Sequence, residues 1–329
     1  MNKKIIIGIL LSLILVYLSI RGVDINNALN NLKKIKPSFI AAFIAAILIM
    51  QFLRSYRWGV ILSPLQKIDQ LSLFSVTSVG FLAVVGIPAR LGELARPYLI
   101  AQKNNINFSS AFGTIIIERV LDGFTVISII IIALSFMDLP IWVMRSSILF
   151  FLLMFIFFLF IIILIWRRKN AINIINRILS KLPGKMANKF DKIIHNFIDG
   201  FVIITDLKML FYLIFLSAII WFIDVMAIHI MLLAFGFTLP FIAPFVLMII
   251  LIAGIAVPTA PGFIGNWHIA CILGLSIFGV QKPEALSFAV VYHFLSISLI
   301  VALGVIFLPF NKFSFSDIKK QFNKANTNT

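Results

Sequence analysis

The sequence predicts an all-α polytopic transmembrane helix bundle with re-entrant or broken helices and a weak inverted repeat. Three observations predict it. Of 329 residues, 61% are hydrophobic and only 12% are charged, with a mean hydropathy of +1.10; a water-soluble fold would lack the polar residues to cover its surface. Several apolar runs approach the roughly 20 residues needed to cross a bilayer. The runs are continuously apolar rather than alternating, which excludes a β-barrel.

The elements follow in chain order. Lys3 and Lys4 precede an apolar run over 5–20, and Arg21 follows it. No small-x-small cleavage signal follows, so the run reads as a retained first helix. Further helices are predicted over 37–62, 71–87, 109–136, 146–166, 208–235, 241–257, 263–279 and 283–308. The Lys-rich ends, including Lys312, Lys319, Lys320 and Lys324, place both termini in the cytoplasm of a multi-pass plasma-membrane protein. Nine segments cannot all cross if both ends lie inside. Residues 21–36, which carry Arg21, Lys33, Lys34 and Lys36, fit an outer loop poorly. Some segments are therefore expected to enter and leave on one side. Residues 1–310 form a single transmembrane domain, and 311–329 a polar cytoplasmic tail.

The formal net charge of +16 is concentrated. Nine Lys or Arg stand against three Asp from Arg167 to Lys208. The positive-inside rule makes 167–207 a cytoplasmic basic amphipathic loop, and argues against nucleic acid as a partner. Met186, Phe190, Ile193, Phe197, Phe201 and Ile204 recur at helical spacing among Lys185, Lys189 and Lys192. Such a helix either lies on an anionic leaflet or packs on the bundle as an ordinary surface helix.

Charged residues inside the apolar segments mark the candidate site. Arg90, Glu93, Arg96, Glu118, Arg119 and Asp122 fall close to or within hydrocarbon. One ionised side chain at the bilayer centre costs roughly 2.5–3.5 kcal/mol even on lenient scales. Arg90, Glu93 and Arg96 recur every three residues, so Glu93 can pair with either Arg. Arg offers phosphate a planar fork of donors. Glu118, Arg119 and Asp122 are expected to pair with that first cluster and to line a groove for a polar headgroup. The structural readings are an interfacial ion-pair cluster with Arg96 snorkelling, and helix–helix glue.

Two places look broken: Gly86-Ile87-Pro88 before Gly92, and Pro258-Thr259-Ala260-Pro261-Gly262 before Gly265. Irregular backbone at membrane depth survives only where protein or a wet cavity satisfies it. Pro88-x3-Gly92-Glu93 parallels Pro261-x3-Gly265-Asn266. Glu118-Arg119 and Tyr292-His293 then follow at offsets that differ by one residue. Inverted repeats with broken helices are a transporter architecture. Asn266, His268 and His293 join the candidate substrate-binding residues. With Asp224 and His229, the histidines would permit a proton relay, although a lone intramembrane His is more often a hydrogen-bond partner. Arg54 and Arg57, beside Tyr56 and Trp58, read as an interfacial anchor belt. Cys271 reads as a small buried hydrophobe. No metal-ligand spacing, cofactor motif, P-loop or nucleophile motif appears.

The strings P-A-R-L-G-E-L-A-R-P, E-R-V-L-D and P-T-A-P-G-F-I-G-N-W-H resemble the transmembrane domain of lysylphosphatidylglycerol synthase/flippase proteins, including the membrane half of the bacterial multiple peptide resistance factor. Where that family often has Gly-Gly-hydrophobic-Gly and an acidic residue, this chain has Pro261–Gly265 followed by Asn266. The resemblance implies translocation of an anionic, aminoacylated or glycosylated lipid. It also implies an alternative, phosphatidylglycerol lysyltransferase-type lipid modification or a partner role to a cytoplasmic lipid-modifying enzyme. The chain ends in a short polar tail, with no soluble transferase domain visible to supply that chemistry.

Overall fold

The computed structural model describes Tyr17 and residues 37–86, 92–136, 141–166, 184–201, 203, 206–256 and 261–311. The expected first helix (Tyr17 apart), the 21–36 segment, Pro88, Arg90, Pro258 and residues 312–329 lie outside the described residues. All described regular structure is helical: α1 (Pro37–Leu62), α2 (Gln70–Gly86), α3 (Ala95–Lys103), α4 (Phe108–Phe136), α5 (Ile141–Trp166), α6 (Gly184–Asp199), α7 (Leu207–Ala234), α8 (Ala243–Ala256), α9 (Asn266–Ser276) and α10 (Lys282–Phe307).

Helix bounds follow from local chemistry. Asp206 caps α7 by accepting from the Met209 backbone N–H at 3.2 Å, and Pro283 sits in the first turn of α10, where its missing N–H costs nothing. Among the described residues, three helices are long and apolar enough to cross a membrane: Pro37–Leu62, Leu207–Ala234, and α10 with its 3-10 extension, Lys282–Asn311. The 29-residue α4 has the length, but Glu118, Arg119 and Asp122 interrupt its apolar middle.

Helices α1 and α7 form the central pair and run antiparallel. Tyr56 and Arg57, late in α1, meet Tyr212 and Ser217, early in α7. Phe43 and Ile47, early in α1, share a core with Ile228, Met231 and Leu232, late in α7. Around this pair the element order repeats. Helix α2 ends at a break, residues 92–94 form a 3-10 turn, and the short α3 leads to the long α4. Helix α8 likewise ends at a break, Pro261–Phe263 form a 3-10 turn, and the short α9 leads to the long α10. The packing is reciprocal: α2 lies on α10, and α8 lies on α4. The weak sequence repeat thus has a counterpart in element order and contacts.

The amphipathic segment forms α6, and its C-terminal end packs on α4. A Cβ on Gly113 would sit 2.6 Å from the Phe197 carbonyl oxygen, so only glycine permits this approach. Ile198, Phe201 and Ile203 are buried with Ile61, Ile117 and Leu213. Of the two readings of this segment, packing on the bundle holds for that end.

Candidate functional site: a buried ion-pair network beside a histidine-held break

Four helices meet in a network around Glu118 and Asp122. Helix α4 presents Glu118, Arg119 and Asp122; α3 presents Arg96; α1 presents Arg57; and α7 presents Ser217 and Trp221. Arg96 donates through both terminal nitrogens to the two Glu118 carboxylate oxygens, at 2.7 and 3.1 Å. Arg119 Nη2 donates to Glu118 Oε1 at 2.9 Å, and Arg119 Nη1 lies 3.5 Å from Asp122 Oδ2. Arg57 Nη1 donates to Asp122 Oδ1 and to Ser217 Oγ, both at 2.7 Å. Arg57 Nη2 lies 3.9 Å from Glu118 Oε1. Trp221 Nε1 donates to Asp122 Oδ1 at 3.0 Å.

Packing fixes these side chains. The Arg96 guanidinium lies over the Trp58 ring at 4.4 Å, a cation–π contact strengthened by burial. Trp58 is held in turn by donating to Thr114 Oγ1 at 3.0 Å. The Arg96 stem runs across Gly80 of α2, where any Cβ would collide with it. Glycine is likewise required at Gly92, whose Cβ would strike the Ala83 backbone.

Arg57, Arg96 and Glu118 are essentially excluded from surface, whereas the Arg119 side chain is 45% exposed. Burying ions is costly unless each is paired and hydrogen-bonded. The arrangement meets most of that demand, because a bidentate arginine satisfies both Glu118 oxygens. It leaves Arg57 Nε and Arg96 Nε without an acceptor. The charge environment also includes Glu93 near Arg119, and Asp224 near Arg54. Four arginines (Arg54, Arg57, Arg96 and Arg119) therefore face four carboxylates (Glu93, Glu118, Asp122 and Asp224) among the described residues.

The second break is built differently. His293 of α10 donates from Nε2 to the Gly262 carbonyl at 2.8 Å. That bond fixes the tautomer, since a carbonyl can only accept. Trp267 stacks on His293 at 5.2 Å, and His268 meets it edge-on at 5.0 Å. His268 Nδ1 accepts from the Gly265 backbone N–H at 3.3 Å, and Asn266 donates to the Gly254 carbonyl at 2.9 Å. Gly262 and Gly265 have φ of +71° and +96°, in the region that favours glycine.

The structure therefore divides the residues singled out from sequence into two groups. Arg96, Glu118, Arg119 and Asp122 come together, and the pairing expected between α4 and the segment before it is present. Glu93 is half-buried in the 3-10 turn formed by residues 92–94, and it lies near Arg119. Arg96 does not snorkel; it is buried. Asn266, His268 and His293 gather at the second break. No hydrogen bond or ion pair joins His268 or His293 to the charged network among the described residues. His229 packs edge-on to Phe241 at 5.8 Å, away from both groups. Cys271 is buried, as expected.

One expectation is corrected. Arg57 is not an interfacial anchor; it is buried at the heart of the network, and Arg54 lies over the Phe81 ring at 5.5 Å. Neighbouring Tyr56 and Trp58 suggested a membrane-interface belt, but Trp58 faces inward onto Arg96. Ser217 and Trp221 were missed altogether, since a lone Ser and a lone Trp in an apolar run carry no signal. Asp224, read from sequence as a relay carboxylate, lies within the electrostatic reach of Arg54.

Comparison with known proteins places this geometry. The chain is 25% identical over 304 residues to a UPF0104 membrane protein of Methanothermobacter thermautotrophicus, covering 87% of this chain and 89% of that one. It is 28% identical over 228 residues to a UPF0104 membrane protein of Methanocaldococcus jannaschii, covering 67% and 90%. A 125-residue stretch is 27% identical to glycosyltransferase AglD of Haloferax volcanii, covering 37% of this chain but only 20% of that protein. No solved structure matches. A family model described as the lysylphosphatidylglycerol synthase TM region matches residues 5–304, both breaks and the charged network included, and the chain belongs to that membrane-protein family.

Proposed function

We propose that this chain is a lipid translocase, and that the charged network is the polar waypoint for an anionic, aminoacylated or glycosylated lipid headgroup. The observation that carries this reading is the asymmetry of the network: three of its members are sealed from surface, while Arg119 opens outward. Glu118 is shared by Arg96 and Arg119. A headgroup phosphate can replace Glu118 as the partner of Arg119 while Glu118 stays paired with Arg96. The exchange leaves no buried ion alone, which is the condition for moving charge through a low-dielectric region at tolerable cost. Arginine suits the role because its fork matches a phosphate.

The test is transport of fluorescent lipids by purified protein in liposomes, with and without a pH gradient. Arg119→Ala and Glu93→Ala are expected to insert normally and to lose transport. Undiminished transport in both contradicts the reading. A membrane role in lipid modification is the second reading, supported by the likeness to part of a glycosyltransferase. Modified lipid formed in membranes holding only this chain would favour it.

A further inference from the structure

We propose a second lipid site, separate from the charged network, where an anionic phospholipid seats against the outer face of α1. A groove of about 880 Å³ is lined by the end of α1, the start of α2 and the start of α7. Its volume lies toward the upper end of the roughly 300–1,000 Å³ common for ligand pockets. Phe52, Tyr56, Gly59 and Ser63 recur every three to four residues and form its wall on α1. Arg54, Arg57 and Trp58 lie on the opposite face of that helix, so its full width separates the groove from the network. The proposal therefore stands whether or not the network carries a headgroup.

The groove has an apolar length and a polar end. Phe52, Tyr56 and Tyr212 stay partly exposed along it, and the two tyrosine hydroxyls meet at 3.1 Å. Its floor is close-packed, since Gly59 lies directly against Leu73. At the bundle's end it is lined by Lys67 and Lys208, neither of which has an ion-pair partner among the described residues. The one carboxylate in the lining, Asp206, is engaged as the N-cap of α7. Two unpaired ammonium groups above an apolar trough match a phosphate headgroup above acyl chains, and Lys is a competent point-charge partner for phosphate.

Native mass spectrometry of the full chain in detergent, offered phosphatidic acid or phosphatidylcholine with identical chains, tests this. The wild type is expected to retain phosphatidic acid preferentially. K67Q/K208Q is expected to lose about tenfold of that preference, given that each lysine near anionic lipid contributes several-fold, while eluting as a folded monodisperse species. K103Q, at the exposed end of α3 and outside the groove lining, is expected to keep the preference. An unchanged preference in K67Q/K208Q overturns the proposal. So does an equal loss in K103Q, which would make the preference an effect of overall charge, or a second copy of the chain held at this face in place of lipid.

Discussion

The two breaks occupy equivalent places in the repeated element order, yet they are held by opposite chemistry. The first is clasped by side-chain ions: Arg96, from the short helix after the break, grips Glu118 on the long helix that follows. The second is clasped by a neutral ring: His293, on the equivalent long helix, grips the Gly262 carbonyl of the break itself. The first clasp can exchange partners, because Glu118 has several cations within reach. The second cannot, because its acceptor is backbone and its donor is wedged by Trp267 and His268. One scaffold thus yields a half suited to handling charge and a half suited to holding shape.

The comparison breaks most visibly at Glu118. Glu118→Ala strands buried Arg96 and is expected to cost about 3–5 kcal/mol, read as a collapse of the thermal unfolding midpoint in detergent. His293→Ala leaves the Gly262 carbonyl without its donor, an expected loss of about 1–3 kcal/mol. Transport in the surviving folded fraction should persist, and a fully stable but inactive His293→Ala would remove the division of labour. Gly262→Ala forces a side chain into left-handed backbone and should cost about 1–2 kcal/mol by the same measurement. Arg119→Ala should change stability least, by about 1 kcal/mol or less, because Glu118 keeps Arg96 and Asp122 keeps Arg57, so neither carboxylate is stranded. Its expected effect falls on transport instead, and that contrast with Glu118→Ala sharpens the assignment.

Much of the helical framework was legible, because apolar runs of bilayer length carry their own boundaries. The segment expected over 37–62 is α1, and that expected over 71–87 is α2 shifted by one residue at each end. The short α3 was hidden: Arg96 and Pro97 at its start, followed by a polar end, resemble a loop when read locally. The acidic and basic residues of α3 and α4 were legible as a group because charge in hydrocarbon is rare. Arg57 was not, since its partners Asp122 and Ser217 lie 65 and 160 residues away in sequence. Nothing local distinguishes an arginine that reaches water from one that reaches a distant carboxylate. The role of His293 was half legible: its offset came within one residue of that of Arg119, but a ring donating to backbone leaves no trace in residue spacing.

The central claim, that the charged half and not the histidine half meets the headgroup, is tested most directly by photolabelling. A phospholipid carrying a photoreactive group on its headgroup, reconstituted with the full chain and mapped by peptide mass spectrometry, should mark residues 92–122 and should lose that mark in Arg119→Ala. Labelling confined to residues 261–293, unchanged in Arg119→Ala, would contradict it.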